Sequence, residues 1–322
     1  MTFTDLMVQQ TINGLSLGAM YALLALGFTL VYGILELINF SHFNVFMIGS
    51  FVAMWTLQMF GLSGQDVILA GLPLAGVLLV AFAVTMVFCG GLGVVIERVT
   101  LRPLRNVKGP AAMITSIGVS YILFNLILLG VGADSKNFPN PLPTIRYQIG
   151  GAVLDFRVIL IWVIALLLMG ALYFFVQNSR LGKAMRATAQ DAEAARMMGV
   201  EVDKVIIMAF FLGSALAGAG GLIFGLYYNF TSFIIGFTAG LRAFTAAVLG
   251  GIGNVPGAMV GGVLIGLIEA LAPDSIAWLL SKIGIVVSGP YAWTDVIIFS
   301  ILVLVLVFKP SGLFGRVAPN KS

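Results

Sequence analysis

Long stretches of this chain carry no charge, and their lengths predict its elements. Residues 6–35 contain no Asp, Glu, Lys, Arg or His, and residues 39–60 contain only His42. Residues 67–96, 109–133 and 158–176 are equally clean, and after a polar middle come 205–241 and 243–268. A last apolar run over 283–308 is broken by Asp295. An uncharged run of about twenty residues is long enough to cross a hydrocarbon core. Within 205–241 the segment "YYNFTSF" (227–233) reads as an interfacial turn, and the Gly-rich piece over 236–253 reads as broken or re-entrant. The pattern predicts an all-α integral membrane protein, a polytopic bundle of about eight to nine transmembrane helices.

Composition sharpens this picture. Hydrophobic residues make up 60% of the 322 residues and charged residues only 9%, against about 25% charged in a soluble domain. The net charge of +4 comes from a few clusters, which set topology and do not suggest nucleic acid. Arg98, Arg102, Arg105 and Lys108 form one; Arg180, Lys183, Arg186, Arg196 and Lys204 a second; Lys309, Arg316 and Lys321 a third. Short cationic loops stay in the cytoplasm, so residues 132–157, balanced in charge and rich in proline, fall outside. With nine spans the N-terminus is outside and the C-terminus inside. The first apolar run follows Asp5 and no basic stretch, so it is expected to remain as a span and not to be cleaved. Cys89 is the single cysteine, which excludes an intrachain disulfide.

One polar segment stands apart: "RLGKAMRATAQDAEAARMMGVEVDKV", residues 180–205. Residues 179–198 are strong helix formers. Leu181, Met185, Ala192 and Ala195 share one side, and Arg186, Gln190, Glu193 and Met197 another. Glu193 is within reach of Arg196. Gly199 suits a helix stop, and Asp203 a cap on the apolar helix that follows. A short helix lying outside the bilayer results, with small residues at Ala194 and Ala195. By propensity alone it could equally be a solvated connector.

"EAARMMG" (193–199) resembles the first half of the Glu-Ala-Ala-x-x-x-Gly loop of ABC importer permeases; the Ile-x-Leu-Pro that closes that motif is absent after Gly199. The wider chain resembles the LivH-type permease subunit of the branched-chain amino-acid ABC importer family. The likeness is carried by "NGLSLGAMYALLALGFTLVYGILELINFSHF" (13–43), "LGKAMRATAQDAEAARMMGV" (181–200) and "GLRAFTAAVLGGIGNVPGAMVGG" (240–262). It implies one permease domain over 1–322, with residues 179–203 forming a cytoplasmic coupling-helix loop. In that loop Glu193, Ala194, Ala195 and Gly199 would meet an ATPase. It implies two ABC ATPase subunits, a second, related permease subunit, and a periplasmic or lipid-anchored substrate-binding protein, in the lipid of a bacterial inner plasma membrane. The implied substrate is a branched-chain amino acid; urea and other amino acids are carried by related permeases.

No cofactor is expected on this chain, and ATP would be used by the partner subunits. A P-loop needs Gly-x-x-x-x-Gly-Lys-Ser/Thr to cradle phosphate, and Gly182-Lys183 lacks both the upstream glycine and the hydroxyl. "LSGQ" (62–65) resembles an ABC ATPase signature only superficially. A single histidine excludes His-Glu-x-x-His and leaves no metal-ligand set. Ser41 and His42 are adjacent and point apart on a helix, and Asp295 is the single acid seen near a span. Neither catalysis nor a gradient-driven secondary transporter, which calls for a buried mid-span acid, finds support.

Polar groups at membrane depth mark pathways. "ELINFSHFN" (36–44), with Asn39, Ser41, His42 and Asn44, is the densest such cluster; a helix break there suits an ammonium and a carboxylate, and an interfacial turn explains it equally. Arg242 and Thr245 are a second candidate lining, with headgroup anchoring the simpler account of a lone Arg. Glu97 and Glu269 close long apolar runs and mark their ends or pair locally. Gly14/Gly18, Gly221/Gly225, Gly257/Gly261 and Gly262/Gly266 have the spacing of close helix seams, some available to a partner permease. Residues 250–257, "GGIGNVPG", read as a cytoplasmic turn joining two packed helices.

Overall fold

A computed structural model describes residues 3–62, 69, 71–105, 107, 109–282, 284 and 289–315. Of residues 62–65 it describes Leu62 alone; Lys108, Arg316 and Lys321 also lie outside the described residues. The chain is mostly helical: α1 (Phe3–Leu35), α2 (Ser41–Met59), α3 (Gly71–Ile96) with a π-helical and 3-10 extension to Leu104, α4 (Ala111–Val131) and α5 (Phe156–Asn178). Then come α6 (Arg180–Gln190), α7 (Ala192–Met197), α8 (Val202–Tyr228), α9 (Ile235–Gly250), α10 (Val255–Lys282) and α11 (Thr294–Phe308). Four short strands, β1 (Lys136–Asn137), β2 (Arg146–Ile149), β3 (Ala152–Asp155) and β4 (Phe230–Thr231), pair as β1–β4 and β2–β3.

Seven of these helices are long and apolar enough to cross a membrane: α1, α3 with its extension, α4, α5, α8, α10 and α11 with the turn before it. Two further helices fall short: α2, over the predicted span 39–60, carries Ser41, His42, Asn44, Ser50 and Thr56, and α9, in the Gly-rich piece read as broken or re-entrant, is only 16 residues long. The remaining helices surround them. The most apolar windows of α1 and α8 are 83% and 78% buried. By contrast α3, α4, α5 and α11 turn Leu79, Ile122, Leu167 and Val307 outward. The fold is therefore an inner set of α1, α2, α8 and α9 inside an outer set, with α10 at the boundary. A solvent without hydrogen-bonding capacity allows such apolar outer faces, provided each helix satisfies its own backbone.

Glycine lets the inner helices meet backbone to backbone. A Cβ on Gly18 of α1 would sit 2.7 Å from the Cα of Val263 on α10, and Gly262 and Gly266 face Ala22 and Gly18 in return. Gly257 and Gly261 meet α9 at Gly250 and Ala246. Gly221 lies against Phe46 and Ser50 of α2, and Gly225 against the ring of Phe138. All four predicted seams thus pack inside this chain, where close approach replaces the hydrophobic drive that lipid cannot supply.

Breaks in the helices position the interior. After α1, Glu36 takes φ 53°, and residues 37–40 run back inward. As a result α2 begins beside the middle of α1, with His42 Nε2 3.3 Å from the Leu24 carbonyl. It climbs until Ser50 hydrogen-bonds Thr231 of β4. The expected turn over 227–233 is present: Asn229, at φ 59°, ends α8, and Arg157 donates to the Tyr227 carbonyl (3.3 Å) and to Asn229 Oδ1 (3.1 Å). Residues 250–257 turn as expected, through Gly251 (φ 100°) and Gly253 (φ 88°). That turn splits the apolar run 243–268, predicted as one span, between α9 and α10. Residues 132–157 are a folded cap and not a plain loop: Gly151 N donates to Asp5 and Val153 N to Gln9, fastening the β2–β3 hairpin to the start of α1.

Candidate functional site

The polar segment forms two helices where one over 179–198 was expected. Ser179 caps α6, its side chain accepting from Gly182 N at 2.8 Å. Asp191 then adopts extended backbone and accepts from Glu193 N (2.9 Å) and Ala194 N (3.0 Å), ending α6 and starting α7. An Asp in this position offers the backbone a better bond than helix continuation does. Gly199, at φ 85°, stops α7 as predicted. The buried face of α6 is Gly182, Met185 and Thr188, whereas Leu181 is exposed. Ala195 also turns inward, leaving Glu193, Ala194 and Gly199 exposed together with Met197 and Met198, the last two more than 80% exposed. Met185, Arg186 and Ala189 share a crevice of about 60 Å³ with Thr29 and Gly33 of α1 and Gly253 before α10.

Asp203 does not cap α8. The cap position is Glu201, and Asp203 in the first turn pairs with Arg102 and Arg105, each at 2.8 Å. Arg105 also pairs with Glu97, which is fully buried. A helix start favours a carboxylate for its dipole as well as for capping, so residue type alone does not separate the two roles. This network ties the α7–α8 connection to the end of α3.

The polar cluster at the start of α2 is held mostly by hydrogen bonds within itself and to α1 and α4, although Asn44 Oδ1 has no partner. Asn39 Oδ1 accepts from Ser41 N (3.1 Å) and Ser41 Oγ, while His42 lies on the Leu24 carbonyl. Asn44 Nδ2 donates to the Ser120 carbonyl (2.8 Å) and hydroxyl (2.7 Å). Thr245 donates to Leu241 of its own helix. All five side chains are buried, and rings of Phe28, Phe43 and Phe244 fill the interior beside them.

Arg242 is placed differently. It is mostly buried and paired within the protein: Nη1 donates to Glu269 and to the Tyr21 hydroxyl (3.2 Å), and Nη2 to Asp295 (2.8 Å). Glu269 lies in the middle of α10 with its side chain 11% exposed, so of the two expectations, a helix end or a local pair, it is the pairing that the structure shows. A mid-span acid is therefore present, and a guanidinium already holds it. Of the six pathway candidates, Arg242 lines the larger cavity, about 350 Å³ in volume, between α1, α8, α9, α10 and the start of α11. Sequence reasoning missed Tyr21, Glu269 and Asp295 as its partners. The available signal was that two opposite charges, Arg242 and Glu269, both interrupt apolar stretches, and intramembrane charges seek each other.

Residues 10–306 match the family described as the branched-chain amino acid transport system / permease component. The chain is 39% identical to the high-affinity branched-chain amino acid transport system permease protein BraD of Pseudomonas aeruginosa, over 96% of each chain. It is 40% identical to LivH, the corresponding protein of Escherichia coli, again over 96% of each. The probable LivH of Methanocaldococcus jannaschii is 31% identical, covering 91% of this chain and 88% of the relative. No solved structure matches. With a family match over almost the whole length, and an apolar helical bundle to go with it, this chain belongs to the branched-chain amino acid transport permease family.

Proposed function

We propose that this chain is the membrane-spanning permease subunit of an ATP-driven ABC importer in a bacterial inner membrane. It moves leucine, isoleucine or valine delivered by an extracytoplasmic binding protein. The observation that carries the reading is the full-length likeness to BraD and LivH, whose names state this transport. The chain acts as one permease domain beside a second, related permease subunit. Two ATPase subunits, which bind the ATP, dock on the α6–α7 hairpin. That docking is supported by the exposure of Glu193, Ala194, Met197 and Met198 at one tip, on a hairpin whose other face is anchored to α1 and α5. Ala195 sets the seat of α7, and Gly199 supplies its stop. The hairpin is cytoplasmic because its end of the bundle carries the cationic clusters. The chain then crosses nine times, α2 and α9 being interior crossings.

The test is retrieval of the tagged chain from its native membrane, with and without Glu193→Arg. Wild type is expected to bring down P-loop ATPases and the variant to lose them. Wild type that retains none, in detergents that keep complexes intact, would replace the importer with a gradient-driven carrier. Competition of leucine uptake by valine and isoleucine, and not by urea, separates the substrate classes.

A further inference from the structure

The two cavities lie at opposite ends of α1. Asn13 lines the larger and Gly33 the crevice under α6, which at 1.5 Å per residue separates them by roughly 30 Å, a bilayer core. The larger cavity opposite the hairpin has a rim and a floor. Tyr291 at the rim is more than half exposed, and Asp295, which does not itself line the cavity, reaches its Arg242 from an exposed position next to the lining residue Thr294. Leu17, Arg242, Glu269 and Ala270 lie deeper. Its volume of about 350 Å³ falls at the lower end of the roughly 300–1,000 Å³ typical of small-molecule sites.

Arg242 Nε, a buried donor at this floor, has no hydrogen-bond partner, and Glu269 Oε2, an acceptor, has none beyond the neighbouring Tyr21 hydroxyl. Buried polar atoms are ordinarily partnered, because leaving one unmet is costly. One spare donor beside one spare acceptor is the complement of a molecule carrying both a carboxylate and an ammonium. The third charged group, Asp295, holds Arg242 Nη2 at 2.8 Å from an exposed position on α11. It is the partner best able to leave.

We infer that this cavity is the extracytoplasmic receiving site for a zwitterionic amino acid, in which the carboxylate displaces Asp295 from Arg242 and the ammonium is held by Glu269 and the released Asp295. The exchange conserves charge: Arg242, Glu269 and Asp295 sum to −1 before a neutral zwitterion enters and after. An acid lacking the ammonium meets an uncompensated negative site. An amine lacking the carboxylate leaves the guanidinium on Asp295, and urea carries neither charge. Leu17 and Ala270 leave an apolar wall for an aliphatic side chain. The inference rests on the importer reading and adds the site to it.

The experiment is leucine uptake by the intact complex in proteoliposomes supplied with its binding protein and ATP. Competitors are 4-methylpentanoate, which lacks the ammonium, and isopentylamine, which lacks the carboxylate. Neither is expected to compete. Asp295→Asn and Glu269→Gln are each expected to lower uptake roughly tenfold or more, as loss of one charge-assisted hydrogen bond implies. Retention of the ATPases on a tagged chain reports whether each variant folds. Because Asp295 is exposed, its variant serves if Glu269→Gln does not fold. Wild-type uptake of leucine with Asp295→Asn unchanged, or with 4-methylpentanoate competing as well as valine, overturns the site alone. Wild-type complexes that carry none of leucine, isoleucine or valine overturn the importer reading and the site together.

Discussion

Glu97 and Asp203 share one guanidinium, that of Arg105, in opposite surroundings. Glu97 is fully buried, while the Asp203 side chain is 49% exposed and has Arg102 as a second partner. Removing Arg105 strands a carboxylate in the interior, a loss of about 3–5 kcal/mol for a broken buried pair. Removing Arg102 breaks a solvated pair whose worth is about 1 kcal/mol or less. Arg105→Ala is therefore expected to lower the thermal midpoint of the detergent-solubilised protein by many degrees, and Arg102→Ala by few. Adding Glu97→Gln should recover much of the Arg105→Ala loss, since a neutral amide is far cheaper to bury than a carboxylate. Equal midpoints for the two arginine variants would show that Glu97 is hydrated despite its position.

At the scale of elements, glycine has two distinct uses, and substitution separates them. Gly18 sits where a Cβ would enter the backbone of α10, whereas around a Cβ on Gly118 of α4 there is open space. Gly18→Ala is expected to force α1 and α10 apart, at about 1–3 kcal/mol for overpacking. Gly118→Ala should be neutral or stabilise α4 by up to about 1 kcal/mol, the difference in helix propensity. Thermal unfolding of both variants in one detergent checks this. The α7 tip offers a different contrast. Met197 and Met198 are exposed, flexible and apolar, the character of an adaptable contact. Met197→Glu is expected to leave the midpoint within about 2 °C, as exposed substitutions do, while retrieval of ATPases falls. Unchanged retrieval would move the docking contact away from the tip.

These elements also show what sequence carried and what it did not. Seams spaced at four residues were legible because their signal is local. The stop at Gly199 and the turn over 227–233 were legible for the same reason, and so was the turn after Gly250. The inner position of α2 and α9 was not, because a helix surrounded by lipid and one surrounded by other helices both read as long, nearly uncharged runs. The Asp191 break hid inside a run of strong helix formers. The pairing of Arg242 with Glu269 needs α9 and α10 folded back on each other around Gly251, and its third partner Asp295 comes from α11. No spacing in the chain announces that site. The Asn39, Ser41, His42 and Asn44 cluster was conspicuous in sequence, yet its hydrogen bonds are largely met within the protein.

For the whole molecule, the number of crossings is not read from the sides of the two chain ends. Seven and nine crossings both place the chain ends on opposite sides, so tags at the termini read alike for either. The ends of α2 discriminate, since Glu36 precedes it and Phe60 follows it, both exposed. In a Cys89→Ala background, single cysteines at Glu36, Phe60, Tyr147 and Gln190 give four reporters; Tyr147 is on the exposed hairpin and Gln190 on the exposed end of α6. An impermeant maleimide applied to intact spheroplasts is expected to label Tyr147→Cys and Phe60→Cys. Applied to inverted vesicles it should label Gln190→Cys and Glu36→Cys. That pattern makes α2 a crossing and fixes the hairpin on the cytoplasmic side, as the cationic loops require. Labelling of Glu36→Cys and Phe60→Cys from one side would make α2 a re-entrant helix. The Ser50–Thr231 contact would then mark the depth of a loop and not the far end of a span.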